Sequence, residues 1–321
     1  MKTGSVSTLL FAAMAVAFLP QVGAEEYPTR PVRLIVGFPP GGATDLVARI
    51  IQPRMTELLG RQLVVHNRPG ANGIISLELV AKAEPDGYTL AIGHIGGLVI
   101  SPAIQKVPYD PVKSFASVGL MVTLQNIIIV HPSVAAKSGA DFLALAKAQA
   151  GKLNYATSGV GSPGHLAAEL LESMTGVRMS HVPYKGGGPA ISDLIAGHIP
   201  AFFAVISTAV PHVQSGRARP IAVTGIKRAG ALPDVPTLGE TVRGYSASNW
   251  YGVLAPAKTP QPVIDRINKA LIAALQTPDV VKQLNARGID ATPNTPAEYA
   301  AFIREEDRKW LPIITQAKIQ P

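Results

Sequence analysis

Apolar and polar positions along the chain repeat one pattern: an apolar run, a glycine-rich turn, and then apolar residues at helical spacing. The first copy consists of the β-branched run 32–36, the turn Pro39-Pro-Gly-Gly42 and an apolar series from Leu46 to Ile51. Proline cannot donate to a strand ladder, and apolar residues three and four apart favour an amphipathic helix. The stretch therefore predicts a strand, a tight turn and a helix.

The turn from Phe38 to Asp45 has the features of an anion-binding loop. Glycine has no Cβ, so a ligand can approach the backbone, and the first turn of a helix leaves N–H groups unpaired with a partial positive charge. An ordinary strand-to-helix turn explains the same residues equally well. This stretch alone leaves both interpretations open.

The pattern continues through strands at 62–67 and 89–93, with a helix at 74–82 between them. The intervening turns are rich in glycine, proline, asparagine and aspartate. Such a βαβαβ unit has parallel strands and right-handed crossovers. Its third strand is expected to end in a loop at 93–97.

About 120 residues later the same order returns. A strand at 152–157, the glycine loop Ser158–Gly164 and a helix from His165 are followed by a strand near 179–183, a helix at 190–196 and a strand at 200–205. The segment Ile206–Thr208 then corresponds to the loop at 93–97. Two similar α/β domains are therefore expected, with a ligand cleft between the loops at the carboxyl ends of their strands.

The remaining segments complete these two domains. Between the two repeated units we expect two separate strands, 116–122 and 127–130. After the second unit we expect strands at 220–224 and 250–254. Three closing helices, at 261–275, 278–287 and 296–317, are too few for a third domain and should return to cover the first. Domain I is then discontinuous, 25–124 with 245–321, and domain II is 125–244.

Residues 1–24 have the features of a cleaved secretory signal: Lys2, an apolar run from Leu9 to Leu19, and the short segment Val22–Ala24 before the cut. A membrane anchor would need roughly 18 or more apolar residues, and Pro20 ends this run too early. The sequence has no cysteine, and hence neither a lipid-attachment site nor a disulfide. We expect an unanchored protein in the periplasm of a double-membraned bacterium.

Composition narrows the class of function. The 321 residues are 47% hydrophobic and 16% charged, as in a folded protein with room for two cores. The net charge of +8 is spread thinly and lacks the clustered basic and aromatic residues of a nucleic-acid surface, so it gives only a weak bias toward anionic ligands. Seven histidines form no HxxxH pair, so no metal site is expected.

Two enzymatic motifs are only partly matched. Gly159–Gly164 fits GxGxxG, but the next strand ends in Val182–Lys185 without the acid that would bind a ribose, and there is no P-loop. A hydrolase would use Ser162 and His165, yet Val160 breaks the GxSxG elbow. Ser162 at a helix start is explained more simply as a cap or a ligand contact, and no cofactor is expected.

A set of motifs spread over the mature chain resembles the solute receptors of tripartite tricarboxylate transporters, also called the Bug family. They are, in order, Phe38-Pro-Pro-Gly-Gly-Ala-Thr-Asp45, Asn67-Arg-Pro-Gly70, Pro85-Asp-Gly-Tyr88, Pro108-Tyr-Asp-Pro111, Leu153-Asn-Tyr155, His181-Val-Pro-Tyr-Lys-Gly-Gly187, Ala222-Val-Thr224 and Leu232-Pro-Asp-Val-Pro-Thr237. The resemblance implies an α/β, two-domain type II periplasmic-binding-protein fold, the Venus flytrap, that closes over a small organic acid. It also implies delivery to a membrane permease with one large and one small subunit.

The resemblance implies ligand contacts in the strand-end loops. Transferred position by position, the candidates are Phe38, Gly41, Gly42, Ala43, Thr44, Asp45, Gly93, His94, Ile95, Ser158, Gly159, Gly161, Ser162, His165, Ile206 and Ser207. The third loop has fewer hydroxyl groups than is usual in the family, and Phe203–Ser207 is more apolar. A monocarboxylate or an aromatic acid is therefore as plausible as a dicarboxylate.

Asp45 has two possible roles: it stabilises its own helix start, or it meets the ammonium group of an amino-acid ligand. For the whole protein we expect a monomeric, non-catalytic periplasmic receptor for a carboxylate, without metal or cofactor. The alternatives are a periplasmic sensor that presents its ligand to a signalling partner and, less favoured, an enzyme acting on organic acids.

Overall fold

The computed structural model describes Met1 and residues 27–316. Apart from Met1, the predicted signal sequence lies outside the described residues. The first half of the fold is a parallel three-stranded unit with helices between its strands. Its elements are β1 (Val32–Val36), α1 (Ala43–Leu59), β2 (Leu63–Asn67), α2 (Ile74–Ala81), β3 (Thr89–His94) and the short α3 (Ser101–Ile104). β1 lies between β2 and β3 and pairs with both in parallel, so the predicted arrangement is present.

The second half repeats this arrangement. Its elements are α4 (Gly139–Gln149), β5 (Asn154–Thr157), α5 (Pro163–Thr175), β6 (Ser180–Pro183), α6 (Gly187–Ile195), β7 (Ala201–Val205) and α7 (Ile206–Gln214). β5 pairs in parallel with β6 and β7. The segment Ile206–Thr208, which we expected to be a loop, is instead the first turn of α7. Ile206, Ala209 and Val210 are buried at helical spacing, and this packing draws the chain into a helix directly after β7.

One long strand joins the two halves where the sequence predicted two. β4 (Phe115–Val130) is continuous for 16 residues and pairs antiparallel with β9 (Ser248–Pro256) in the first half and with β7 in the second. The polar segment 123–126 suggested a break, yet its backbone stays in the ladder while its partner changes from β9 to β7. The sheet order is β2-β1-β3-β9-β4-β7-β5-β6, with β8 (Arg219–Val223) and β10 (Ile289–Ala291) also paired to β4. The fold class is thus the predicted two-part α/β type.

The buried hydroxyl of Thr224 ties the crossing segments together. It accepts from the Asn126 N–H at 3.0 Å and donates to the carbonyl of Ala247 at 2.6 Å, just before β9. Beside it, the Gln125 amide accepts from the Gly225 N–H at 3.0 Å and donates to the carbonyl of Lys227 at 2.9 Å. The segments at 125–126, 224–227 and 247 are therefore hydrogen-bonded to one another where the two halves meet.

The closing helices α8 (Gln261–Leu275), α9 (Pro278–Asn285) and α10 (Pro296–Gln316) cover the first half. Arg266 donates to the carbonyl of Leu58 at the end of α1, and the side chain of Asn268 donates to the carbonyl of Val118 in β4, both at 2.8 Å. Trp250 of β9 donates to Glu306 of α10 at 2.9 Å. None of the helices in the described part of the chain combines the length and apolar character that a bilayer crossing would require.

Gly252 in β9 offers a test of this packing, because the buried ring of Tyr299 from α10 lies on it. A Cβ at residue 252 would stand 2.2 Å from a ring carbon of Tyr299. We expect Gly252→Ala to cost about 1–3 kcal/mol of overpacking, and hence to lower the melting temperature by roughly 2–12 °C. Thermal unfolding of the parent and of Gly252→Ala measures this decrease in melting temperature.

Gly230→Ala is the matched control, since a Cβ there meets nothing within 4 Å. Equal melting temperatures for the two variants would contradict the described contact between α10 and β9.

Candidate functional site

A small cavity lies between the two halves, where the strands of both units end. The centre of a water molecule can occupy about 30 Å³ of it. The first half contributes Phe38, Pro39, Gly42, Ala43, Thr44, His94 and Tyr251, and the second half contributes Ser158, Pro163, Gly187, Gly188, Phe202, Val205 and Thr208. Among these described lining residues there is no Lys, Arg, Asp or Glu. The field in the cavity therefore comes from backbone dipoles and neutral side chains.

Four helices begin at this cavity. Gly42 caps α1, Pro163 opens α5, Gly187 opens α6, and Thr208 lies in the first turn of α7. This convergence follows from the fold, because in parallel βα units every helix starts near the carboxyl end of the preceding strand. Helix starts carry partial positive charge and unpaired N–H groups. The cavity is thus electropositive without a cationic side chain.

The four helix starts differ in whether their N–H groups are already used. Within the described residues, no protein group accepts from the N–H groups of Ala43 and Thr44 in α1, of Gly187 and Gly188 in α6, or of Ser207 and Thr208 in α7. At α5, by contrast, the Ser162 hydroxyl accepts from the His165 N–H at 3.3 Å, and His165 Nδ1 accepts from the Gly161 N–H at 3.2 Å. Free donors therefore lie at α1, α6 and α7, while at α5 the N–H groups of Gly161 and His165 are already used.

The structure brings six of the candidate residues together around the cavity: Phe38, Gly42, Ala43, Thr44, His94 and Ser158. The other ten do not line it: Gly41, Asp45, Gly93, Ile95, Gly159, Gly161, Ser162, His165, Ile206 and Ser207. Gly93 is covered by Leu98 and Leu254, and Ile95 and Ile206 are core residues with no exposed surface. Ser207 is buried, and its hydroxyl has no partner in the described part of the chain.

Asp45 is fully engaged at the start of α1. One carboxylate oxygen accepts from the Gly41 N–H and from Arg49 Nε, each at 2.9 Å, and the other accepts from the Asn67 side chain at 2.8 Å. Burial opposes ionisation, but the bonds to Arg49, Gly41 and Asn67 outweigh it and hold the pKa of Asp45 below its ordinary value. This geometry favours the first of the two roles considered for Asp45, that of stabilising its own helix start.

His94 is a neutral donor rather than a cation. Burial lowers its pKa to about 4, so the ring is uncharged at neutral pH. Its Nδ1 lies 3.3 Å from the Gly97 N–H and accepts from it, which leaves the ring proton on Nε2. The ring packs edge-on against Phe38, with 5.1 Å between the ring centroids.

Tyr251 lies opposite His94 in the pairing of β3 with β9, and sequence reasoning missed it. Burial raises its pKa to about 12, although bonds to Thr44 and Asn249 oppose the rise, so the hydroxyl keeps its proton. No local motif marks this tyrosine, because it reaches the cavity only through a strand pairing across about 157 positions of sequence. Gly187 and Gly188 were also missed, yet the glycine turn at 186–188 before a helix repeats the signal used at residues 41–42.

Asn72 makes a contact across the cleft. Its side-chain amide, in the first half, donates to the carbonyl of Gly161 in the second half at 2.7 Å. Gly96 packs against the same carbonyl, where a Cβ at residue 96 would stand 3.0 Å from the oxygen. Gly161 itself has a φ of +68°. The two halves are therefore in direct contact beside the cavity, as in a closed cleft.

A second, larger space opens from the same cleft toward the surface, and we call it the mouth groove. Its walls are Gly37–Pro39, Pro69–Asn72 and Gln105 from the first half and Ser158–Val160 and Pro183–Gly186 from the second. A water molecule's centre can occupy about 760 Å³ of it. Phe38, Pro39 and Ser158 line both the cavity and the mouth groove, so the two spaces are neighbours.

Comparison with known proteins identifies similar receptors. The model of the tripartite tricarboxylate transporter family receptor matches residues 47–319. Protein BugT of Bordetella pertussis is 34% identical over 309 residues, and the match covers 93% of both chains. A solved R. palustris protein with adipate is 34% identical with a TM-score of 0.89, covering 92% of this chain and 100% of that chain. MatC of Rhodopseudomonas palustris, solved with bound malate, is 31% identical with a TM-score of 0.85. The match covers 90% of this chain and 100% of that chain.

The role of Asp45 can be tested by Asp45→Asn, which keeps the shape and removes the charge. The pKa of Asp45 is lower in the folded state than in the unfolded state, where it is about 3.9. The carboxylate therefore contributes its full stability above pH ~3.9, and this contribution is lost as the pH falls through the folded-state pKa. We expect the variant to lose about 1–3 kcal/mol at pH 7, and the difference from the parent to shrink below pH ~4. Denaturant unfolding of the parent and the variant, without ligand, at pH 7 and below pH ~4 measures this difference in stability.

Asp290→Asn is the matched control, because that carboxylate lies exposed on β10. A parent and an Asp45→Asn variant of equal stability at pH 7 would show that the bonds at α1 do not stabilise the helix start.

Proposed function

This chain belongs to the tripartite tricarboxylate transporter receptor family, and from that premise we propose that its cavity holds a carboxylate group of a small organic acid. Proteins of this family are periplasmic solute receptors and not enzymes. The contacts of Ser162 and His165 agree with this class, because the Ser162 hydroxyl is used as the cap of α5.

The observation that carries the proposal is the set of free N–H groups at the starts of α1, α6 and α7. Backbone donors at a helix start favour an anion, because the N–H groups point at it and the helix dipole adds attraction. α1 belongs to the first half, whereas α6 and α7 belong to the second. A carboxylate between them would be held from both sides, so its binding would favour the closed cleft.

The neutral side chains around the cavity suit the same ligand. The hydroxyl of Tyr251 keeps its proton at neutral pH, the His94 ring is uncharged, and Thr44, Ser158 and Thr208 add hydroxyl groups. Two family members have been solved with carboxylates, adipate in one and malate in the other. These support an acid as the ligand of this chain.

We extend the proposal to location and partner. The signal features at 1–24 and the absence of cysteine support export to the periplasm without a lipid anchor. The family supports delivery of the acid to a membrane permease of the tripartite type. The receptor would act as a monomer, with 25–124 and 245–321 moving as one unit against 125–244.

The ligand class can be tested by thermal shift with a panel of acids. Ligand at ~100 times its dissociation constant adds roughly 2.7 kcal/mol, which corresponds to a melting-temperature rise of roughly 5–10 °C for a chain of this size. The panel comprises citrate, linear dicarboxylates, short monocarboxylates, acidic amino acids and benzoate-type acids, with sugars and basic amino acids as controls.

At least one acid should raise the melting temperature, and its methyl ester should lose most of the effect because the negative charge is gone. A shift from a sugar alone, or an ester that binds as well as its acid, would refute the anion site.

Gly42→Val tests the backbone approach at α1. Gly42 has a φ of −74°, and a Cβ there would meet nothing nearer than the Pro39 carbonyl at 3.4 Å, so the fold should accept the side chain at about 1 kcal/mol for the poorer helix cap. The branched side chain would stand where the carboxylate meets the N–H groups. We expect affinity for the active acid to fall at least tenfold in calorimetry, while the ligand-free melting temperature falls by only about 2–4 °C.

Gly161→Val provides the contrast. Its φ of +68° strains a branched residue, so the main effect of this variant should be a loss of stability. Normal binding by Gly42→Val would place the anion elsewhere.

A further inference from the structure

Asn72 is followed by Gly73, and it is the only asparagine of the sequence that precedes a glycine. Such a pair is chemically labile. The backbone nitrogen of the glycine attacks Cγ of the asparagine side chain, ammonia leaves, and a cyclic imide forms; water then opens the ring to aspartate or isoaspartate. Glycine promotes the first step because no Cβ hinders the approach of its nitrogen. The sequence supplies the reactive pair, and the fold decides when it can react.

The backbone around this pair has an unfavourable conformation. Gly70, Ala71, Asn72 and Gly73 are consecutive residues with positive φ, of +139°, +46°, +50° and +82°. Glycine adopts such angles freely and asparagine tolerates them, but the Cβ of Ala71 disfavours them. Two short-range backbone bonds close the turn, from the Gly73 N–H to Gly70 at 3.0 Å and from the Ile74 N–H to Ala71. A strained turn of this kind opens more easily than a regular helix.

With the two halves in contact, Asn72 is held in an unreactive arrangement. Its Nδ2 donates to the Gly161 carbonyl at 2.7 Å, while its Oδ1 has no partner in the described part of the chain. Gly96 lies against the same amide, since a Cβ at residue 96 would stand 2.6 Å from Nδ2. The attacking nitrogen of Gly73 has its proton engaged by the Gly70 carbonyl. Cyclisation therefore has to wait until the side chain leaves Gly161 and the turn opens.

We propose that Asn72 is a site of spontaneous deamidation that reacts when the cleft opens, and that its conversion weakens closure. Aspartate at this position has no side-chain N–H, so its carboxylate would face the Gly161 carbonyl, and both groups only accept hydrogen bonds. Isoaspartate also adds a carbon atom to the backbone of the turn. Asn72 lines the mouth groove, so the new negative charge would oppose an anionic ligand. The effect on affinity rests on the proposed function, whereas the chemical conversion does not.

Mass spectrometry of the mature protein tests the conversion. The protein is kept in mildly alkaline buffer, which speeds cyclisation, beside a free peptide of residues 68–77. Asn72 should become aspartate and isoaspartate, which chromatography separates, more slowly in the protein than in the peptide. Asn285 is the internal control, because it is exposed but precedes Ala286, and it should keep its amide over the same period.

The dependence on cleft opening is measured with adipate and malate, the acids in the two solved relatives. An acid at ~100 times its dissociation constant leaves roughly 1% of the receptor free, so conversion at Asn72 should slow by at least about tenfold. The same acid should not change the rate in the peptide, which has no cleft.

Two variants measure the consequence for closure. Asn72→Asp reproduces one product, and Asn72→Gly removes the amide without adding charge and accepts the left-handed backbone. In calorimetry with adipate and malate, Asn72→Gly should weaken affinity by about two- to tenfold for the lost hydrogen bond. Asn72→Asp should weaken it further, and the additional loss should shrink as salt is raised because it comes from charge.

The outcomes separate this proposal from the proposed function. If the peptide converts while the protein keeps its amide at Asn72, the modification site is wrong. If conversion is equally fast with and without a bound acid, the control by cleft opening is wrong. If Asn72→Asp binds as the parent does, the effect on closure is wrong. If neither acid binds the parent, the proposed function fails for these acids, while the masses at residue 72 still decide the modification.

Discussion

The arrangement of this protein depends on one constraint: in a βα unit with parallel strands, each helix begins where the preceding strand ends. Two such units facing each other bring four helix starts to one cavity. At three of them the first N–H groups have no acceptor in the described part of the chain. Backbone groups that are unpaired in the folded protein favour a ligand that accepts hydrogen bonds. The geometry of the sheet therefore favours an anionic ligand before any side chain is considered.

Much of the fold could be predicted because its signals are local. Glycine turns between β-branched runs and helical apolar series identify the paired units from a few residues each, as at Gly41-Gly42 and at Ser158–Gly164. The continuity of β4 could not be predicted in this way. Thr123 and Gln125 are polar and suggest a break, whereas their backbone groups are held by β9 from more than 120 residues further along the chain.

The same distinction between local and distant signals applies to the site. Phe38, Gly42 and Thr44 were identified from one turn, and they line the cavity. Tyr251 and Phe202 reach it through strand pairing, and no spacing in the sequence indicates that. The loop at 158–165 has the right composition, but Ser162 and His165 take up two of its N–H groups, those of His165 and Gly161, which only the side-chain geometry reveals. Composition therefore located the cleft but did not separate occupied donors from free ones.

The continuous β4 has a mechanical consequence for the closure that we propose, in which one half moves against the other. A loop hinge bends by changing a few free torsion angles, but here the chain passes between the halves inside a hydrogen-bonded ladder, and the Thr224 hydroxyl links that ladder to the segment before β9. Rotation of one half against the other would then have to be taken up as twist along the paired strands. We therefore expect the paired strands, and not the length of a loop, to limit how far the cleft opens.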